Sequence, residues 1–385
     1  KGESMQKCKI FAEDKKFYLG TVAVEDGRFK AVELAEELGE KEAFERTEPF
    51  LVPGLIDLHF HGCLGQDFCD GTREAITTLA RYEIRHGVTG ICPATLTLAL
   101  SDLDHVLSLA RAYKEEGMKE GEARLLGINM EGPFISHTKK GAQNEKYILR
   151  CDEKVLTRFL EESGGLVKFV GLAPEENPGF EDFIRKAKGR VKISLAHTNA
   201  DFPTALAAYR AGASHAVHLY NAMSGLDHRN PGVVGATVAS KEAFAELITD
   251  GVHVHPEMVR IAFQLLGEDR VVLISDSLRS TGMPDGIYDL GGQKVEKKGV
   301  HCTLVEGGNL AGSVSNVFDC MRTAVKEMDI PFKKALLAST VNPAKALGVD
   351  RELGSISVGK YADYLLLNNA LELEAVFQAG KRIAL

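Results

Sequence analysis

From about residue 53 to residue 347, short apolar runs alternate with longer stretches in which apolar residues recur every three or four positions. The runs have the length of strands, and the stretches between them carry one apolar face, as a helix packed on a sheet requires. Eight runs fit a strand: LIDLHFHG (55–62), GVTGICPAT (87–95), LLGINMEGP (125–133), LVKFVGLAP (166–174), VKISLAHT (191–198), HAVHLYNAM (215–223), AELITDGVHV (245–254) and VVLISDS (271–277). Helical stretches such as TREAITTLARYEIRHG, SDLDHVLSLARAYKEEG and ADFPTALAAYRAG separate most of them, and a last helical part at about 315–347 follows the eighth. Eight strand-then-helix units predict an α/β chain closed as a (β/α)8 TIM-like barrel rather than an open sheet.

Both ends of the chain read differently. Residues 8–52 contain KCKIF and FYLGTVAVEDGRFKAV, in which Asp26-Gly27 is a hairpin turn signal, then an acidic, helix-prone interruption (ELAEELGEKEAF) before FLVPG. The same short-strand texture returns in LGSISVGKYADYLLLNNALELEAVFQAGKRI. We therefore expect residues 1–52 and 348–385 to build one small β-sandwich domain, with the barrel of residues 53–347 inserted between them.

Composition narrows the function. With 385 residues, a formal charge of −8 and no long Lys/Arg stripe, the chain lacks the basic surface on which nucleic-acid affinity depends. The seven cysteines are odd in number and lack zinc-finger spacing, which fits a reducing compartment. Neither a signal-like apolar segment nor an uncharged run of membrane-spanning length stands out, so a cytoplasmic protein without membrane contact is expected. GSISVGK (354–360) matches most of a phosphate loop, but Tyr361 stands where Ser or Thr should follow and a β-rich tail replaces the helix, so nucleotide binding is not expected there.

The candidate chemistry lies at the carboxyl ends of the eight strands, where barrels carry their sites. His59 and His61 end the first, Glu131 the third, His197 the fifth, His218 the sixth, Asp250 and His253 the seventh, and Asp276 the eighth. In an extended chain, residues two apart face the same side, so His59 and His61 project together. Read singly, each histidine has an ordinary alternative as a hydrogen-bonded core residue, and Asp276 as a turn cap. Together they form a nitrogen and oxygen donor set for a divalent metal, zinc first and iron, cobalt or manganese as alternatives. Such a metal serves hydrolysis, with Asp276 as the group that takes and returns a proton.

His-x-His on the first strand, histidines on the fifth and sixth and aspartate on the eighth resemble the amidohydrolase superfamily. The segments MEGPF (130–134), KKGA (139–142), AHTNA (196–200), HLYNAMS (218–224), HRNPGVVG (228–235), DGVHV (250–254), LISDS (273–277) and LAGS (310–313), in that order, resemble its N-acetylglucosamine-6-phosphate deacetylases. The resemblance implies hydrolysis of the acetamido group of an amino-sugar phosphate. Glu131, His197 and His218 would be the principal metal ligands and Asp276 the acid and base. His59 and His61 would serve a second ion, with Glu131 as a bridge, since FVGLAP on the fourth strand lacks the superfamily's carboxylated lysine. Arg229 and His253 are the implied phosphate partners, with the backbone of Asn221 and Ala222. Arg229 reaches the ligand across a subunit interface in this family, which implies a homodimer, and Leu310 would lie against the acetyl methyl. Gln143 stands where some members have a histidine that polarises the acetyl carbonyl or holds the sugar, and Asn230 stands where glutamate is common. Rival readings are deacetylation of N-acetylgalactosamine 6-phosphate, hydrolysis of a cyclic amide, and metal-dependent binding without catalysis.

Overall fold

The computed structural model describes residues 7–385, so the first six residues assigned to the small domain lie outside the described residues. Strands Cys8–Phe11, Phe17–Glu25, Arg28–Leu38 and Phe50–Pro53 join Tyr364–Leu367, Leu373–Gln378 and Lys381–Ile383 in one seven-stranded sheet. The two chain ends meet where Phe50–Pro53 runs antiparallel to Tyr364–Leu367, with Val52 opposite Leu365. Asp26 and Gly27 both adopt positive φ, 50° and 76°, as the tight hairpin turn demands. The sheet curls far enough for Phe29 to meet Tyr364, four strands away, at 5.8 Å between ring centroids. Its other face packs Phe17 and Phe50 on Phe332 at 5.7 and 5.2 Å, tying it to the helix Phe332–Ser339. Each buried ring contributes about 1.5–3 kcal/mol relative to exposure.

One expectation fails here: ELAEEL, read as helix-prone, is the end of the strand Arg28–Leu38, and only Glu40–Glu45 is helical. Cross-strand pairing explains the difference, since Gly20 lies opposite Leu34, Tyr18 opposite Glu37 and Phe17 opposite Leu38. A long partner strand outweighs a local preference of a few tenths of a kcal/mol per residue.

The interior of the chain forms the expected barrel. Its parallel strands are Leu55–Asp57, Val88–Ile91, Ile128–Phe134, Val167–Leu172, Lys192–Leu195, His215–Ala216, Phe244–Ile248 and Val271–Ile274. The second strand is broken at Cys92-Pro93: Val88–Ile91 pairs with the first strand, and Ala94–Thr95 beyond the break pairs with the third. The first and last strands are joined past their ladders, by Asp276 N–H to His59 O and His61 N–H to Ser277 O, each 2.8 Å. A helix follows every strand, from Arg73–Arg85 after the first to Val317–Glu327 after the eighth. Several begin at caps that the sequence spells out: Thr72, Asp152, Asp201 and Asn316 each accept a first-turn amide.

An antiparallel excursion, Gly286–Leu290, Gln293–Lys298 and His301–Leu304, interrupts the last strand-to-helix connection. Leu290, Val295 and Cys302 bury themselves against Leu96 and Leu278, placing this unit beside the barrel mouth. The segment GSISVGK carries no phosphate cradle: Ile356 is buried, and the Lys360 ammonium donates to Asp350 O and Ser355 Oγ at 2.6 and 2.7 Å. Among the described residues, no helix is long and apolar enough to cross a membrane.

Candidate active site

The first strand ladder ends at Asp57, so His59 and His61 lie beyond it rather than within it. Their shared direction comes from bonds on both flanks: Phe60 O accepts Ala94 N–H, His59 O accepts Asp276 N–H, and His61 N–H donates to Ser277 O, all at 2.8 Å. Glu131 lies within the third strand, and His197, His218 and Asp276 follow the fifth, sixth and eighth. These last three have positive φ, 43°, 27° and 50°, a conformation that L residues avoid unless their surroundings impose it.

Two donor groups result. Donor atoms of His59, His61 and Asp276 lie within 4.8 Å of one another, as do those of Glu131, His197 and His218. Glu131 stands between them: its Oε1 is 2.9 Å from Nε2 of both His197 and His218, and its Oε2 is 3.2 Å from His61 Nε2. Asp276 Oδ1 lies 3.4 Å from His61 Nε2 and 3.7 Å from His59 Nε2.

Ring orientation tests whether this set suits a metal. His197 Nδ1 donates to Lys139 O at 2.9 Å, His218 Nδ1 to Asn221 O at 3.1 Å, and His59 Nδ1 to Glu246 Oε2 at 2.8 Å. Each bond puts the ring proton on Nδ1 and turns a bare Nε2 lone pair inward, the arrangement of a metal-binding imidazole. The Nε2 atoms of His197 and His218 then face one another at 3.2 Å beside the same carboxylate oxygen. His59 Nε2 is buried without a hydrogen-bond partner. Lone pairs so placed need a proton or a cation, and the donor set fits a divalent ion. The carboxylates also draw positive charge into the site: burial opposes charge on His61, but Asp276 and Glu131 outweigh it and lift the imidazole to about 10. Burial would raise Glu131 too, yet the imidazoles, His59 and His197 foremost, hold its carboxyl well below the usual range. Burial likewise acts upward on Asp276, and His61 and His59 bring it below the usual carboxylate value.

All of the donor residues except His59 line a cavity of about 380 Å³. Gln143, Asn221, Ala222, His253 and Leu310, the expected ligand contacts, all line it. Gln143 is already engaged, however, donating from Nε2 to Glu131 Oε2 at 2.5 Å and accepting Thr97 N–H at 2.7 Å. Asn221 N–H donates to His218 O at 2.9 Å, so the turn itself uses the first of the two expected backbone amides. Asp250 does not join the donor groups; it accepts His253 Nδ1–H at 2.8 Å. Burial opposes charge on His253, but the Asp250 carboxylate raises the imidazole above its usual value and favours a cation facing the cavity. Arg229 is elsewhere, on an exposed loop with its guanidinium at 2.7 Å from His228 Nε2, and Asn230 shares that loop.

Two buried carboxylates were missed. Asp57 accepts Ser275 Oγ–H at 2.5 Å and His59 N–H at 3.1 Å, lacing the first strand to the last. Glu246 supports His59, and although burial acts upward on it, His59 and His215 bring it down to about 2. The available signal was an acid inside an otherwise apolar strand, FAELI.

Residues 50–383 match the amidohydrolase family. The chain is similar to the N-acetylglucosamine-6-phosphate deacetylase of Bacillus subtilis (strain 168), at 37% identity over 369 residues, covering 94% of this chain and 92% of the relative. It is 34% identical over 337 residues to the N-acetylgalactosamine-6-phosphate deacetylase of Escherichia coli O157:H7, covering 88% of each. A solved mutant of the N-acetyl-D-glucosamine-6-phosphate deacetylase of Mycobacterium smegmatis, in complex with N-acetyl-D-glucosamine 6-phosphate, superposes with a TM-score of 0.90 at 27% identity, over 98% of both chains.

Proposed function

The chain belongs to the amidohydrolase family, and from that premise we propose that it hydrolyses the acetamido group of N-acetylglucosamine 6-phosphate, giving glucosamine 6-phosphate and acetate. The observation that carries this reading is the set of bare imidazole nitrogens turned toward Glu131, with Asp276 beside them and lining the cavity. Glu131, His197 and His218 would hold the principal divalent ion, with zinc the first choice for such nitrogen and oxygen donors, and His59 and His61 a second. An ion held there would acidify water and polarise the acetyl carbonyl.

Asp276 takes a proton from the attacking water on its carboxylate oxygen and returns it to the amine nitrogen as the carbon–nitrogen bond breaks. Against the effect of burial, the imidazoles of His61 and His59 beside it hold its carboxyl below the usual value, so that it stands as the anion that accepts that proton. Gln143 keeps the Glu131 carboxylate turned toward the imidazoles. From the walls of the same cavity, cationic His253 and the Ala222 amide would face the phosphate, and Leu310 would close on the acetyl methyl.

The test is release of free amine by purified, metal-analysed protein from N-acetylglucosamine 6-phosphate, its galacto epimer and unphosphorylated N-acetylglucosamine. We expect kcat/KM for the 6-phosphate to exceed that for the free sugar by roughly 100-fold, on the order of two charge-assisted hydrogen bonds. Equal rates on all three would overturn the phosphate assignment. The galacto substrate is a second reading, favoured by the Escherichia coli relative, and it differs at one hydroxyl.

Arg229 lies outside the cavity of its own chain, which suits delivery to the cavity of a second copy in a homodimer. If so, Arg229→Gln and Asp276→Asn proteins, each nearly inactive alone, recover activity when mixed. A mixed dimer holds one complete site, so random reassortment gives about a quarter of wild-type turnover for a two-fold dimer. No recovery after verified subunit exchange would place Arg229 in its own subunit's chemistry or outside it altogether.

A further inference from the structure

Glu246 lies in the seventh barrel strand with no exposed surface. Burying a carboxylate there is costly unless it is paired. Its Oε2 lies 2.8 Å from His59 Nδ1 and accepts His218 N–H at 3.3 Å, while Oε1 accepts Asn129 Nδ2–H at 3.3 Å and lies 3.5 Å from His215 Nε2. One acid thus touches the ring of His59 in one donor group and the backbone of His218 in the other.

The two contacts differ in consequence. The His218 ring is fixed by Asn221 O and the His197 ring by Lys139 O, both backbone acceptors rather than the Glu246 carboxylate. The tautomer of His59 has Glu246 as its acceptor. His61 Nδ1 is buried without a partner, so nothing comparable fixes the second histidine of the pair.

We propose that Glu246 is a positioning residue that holds His59 with its proton on Nδ1 and its Nε2 lone pair toward an ion shared with His61 and Asp276. It thereby sets the affinity of that group while the Glu131, His197 and His218 group keeps its own. The inference rests on the two-ion reading above. Removing the acid weakens the second ion alone, by about 10- to 100-fold, as for other residues that orient a metal-binding histidine. The suitable variant is Glu246→Gln, which keeps the shape of the buried side chain. An amide oxygen facing Nδ1–H removes the charge, and an amide nitrogen facing it forces the proton onto Nε2; either change weakens the donor.

The test is equilibrium dialysis of chelator-stripped wild type and E246Q against buffered zinc, with bound metal measured, and nitrogen-15 spectra of histidine-labelled protein to read the His59 tautomer. We expect two ions in wild type, an unchanged first ion and a weakened second ion in E246Q, and loss of the uniform Nδ1–H form of His59. In a His59→Ala background, adding E246Q should change nothing further, because the acid acts through that ring. Unchanged second-ion affinity in E246Q, an additive effect in the His59→Ala background, or equal weakening of both ions with a large fall in melting temperature would each overturn the inference. A wild type that saturates at one zinc overturns the two-ion reading and the inference with it.

Discussion

Asp276→Asn is expected to retain the ion of the Glu131, His197 and His218 group and lose about 10³- to 10⁴-fold in turnover, the upper range for removing a positioned acid–base group. The variant is nearly isosteric, and the backbone that aims this side chain does not depend on the carboxylate. Asp276 N–H donates to His59 O at 2.8 Å, and Asp276 O accepts Ser313 N–H at 2.7 Å. Asparagine also tolerates the φ of 50° found there better than most residues. What changes is the chemistry, because an amide accepts no proton from water and delivers none to an amine. Since Oδ1 lies 3.4 Å from His61 Nε2, some weakening of an ion held with His61 accompanies the loss, so metal content must be measured beside rate. Near-normal turnover in a fully loaded variant would assign the proton transfer elsewhere.

The fold was legible because its signals are periodic. Eight apolar runs separated by amphipathic stretches, with caps such as Thr72 and Asp201 at the junctions, specify a barrel whatever its chemistry. The clustering of the histidines and Asp276 was legible because such residues at the carboxyl ends of several barrel strands converge on one mouth. Glu246 and Asp57 were not, because a buried acid inside FAELI or LID acquires meaning only from partners distant in sequence, His59 for one and Ser275 for the other. The excursion at Gly286–Leu304 carried a usable turn signal in Gly291-Gly292, whose φ values are 58° and 86°, but its strands alternate weakly and were overlooked. The strand over residues 33–38 was misread because acidic helix formers there were judged without their partner strand. Gln143 shows a different limit: its place in the sequence suggested a ligand contact and it does line the cavity, but only the structure shows its bonds to Glu131 and Thr97, which tie it to the carboxylate between the two donor groups.

His197→Asn is expected to abolish tight binding of the principal ion and, with it, nearly all turnover. His197 contributes one of the two nitrogens at 2.9 Å from Glu131 Oε1, and its Nδ1 is already committed to Lys139 O. His218 Nε2 is already pointed at the same oxygen, and His59 Nε2, the other nitrogen near it, lies farther off at 3.5 Å and belongs to the second donor group. Asparagine is preferred to alanine because residue 197 has a φ of 43°, where alanine would add backbone strain to the loss of a ligand. The shorter side chain leaves a carboxylate and one imidazole at the principal position, too few donors to retain an ion against dialysis. The affinity loss should exceed the roughly 100-fold upper bound for residues that merely support a ligand. The barrel should remain folded, since His197 sits at the mouth above the packed core and the lost hydrogen bond to Lys139 O is worth about 1 kcal/mol. Circular dichroism, melting temperature and bound metal after dialysis decide the matter together. Metal loss with an intact fold identifies a ligand, the reverse of the pattern expected for Asp276→Asn. A folded His197→Asn protein carrying its full metal complement would remove His197 from the principal site and leave Glu131 and His218 without their third donor.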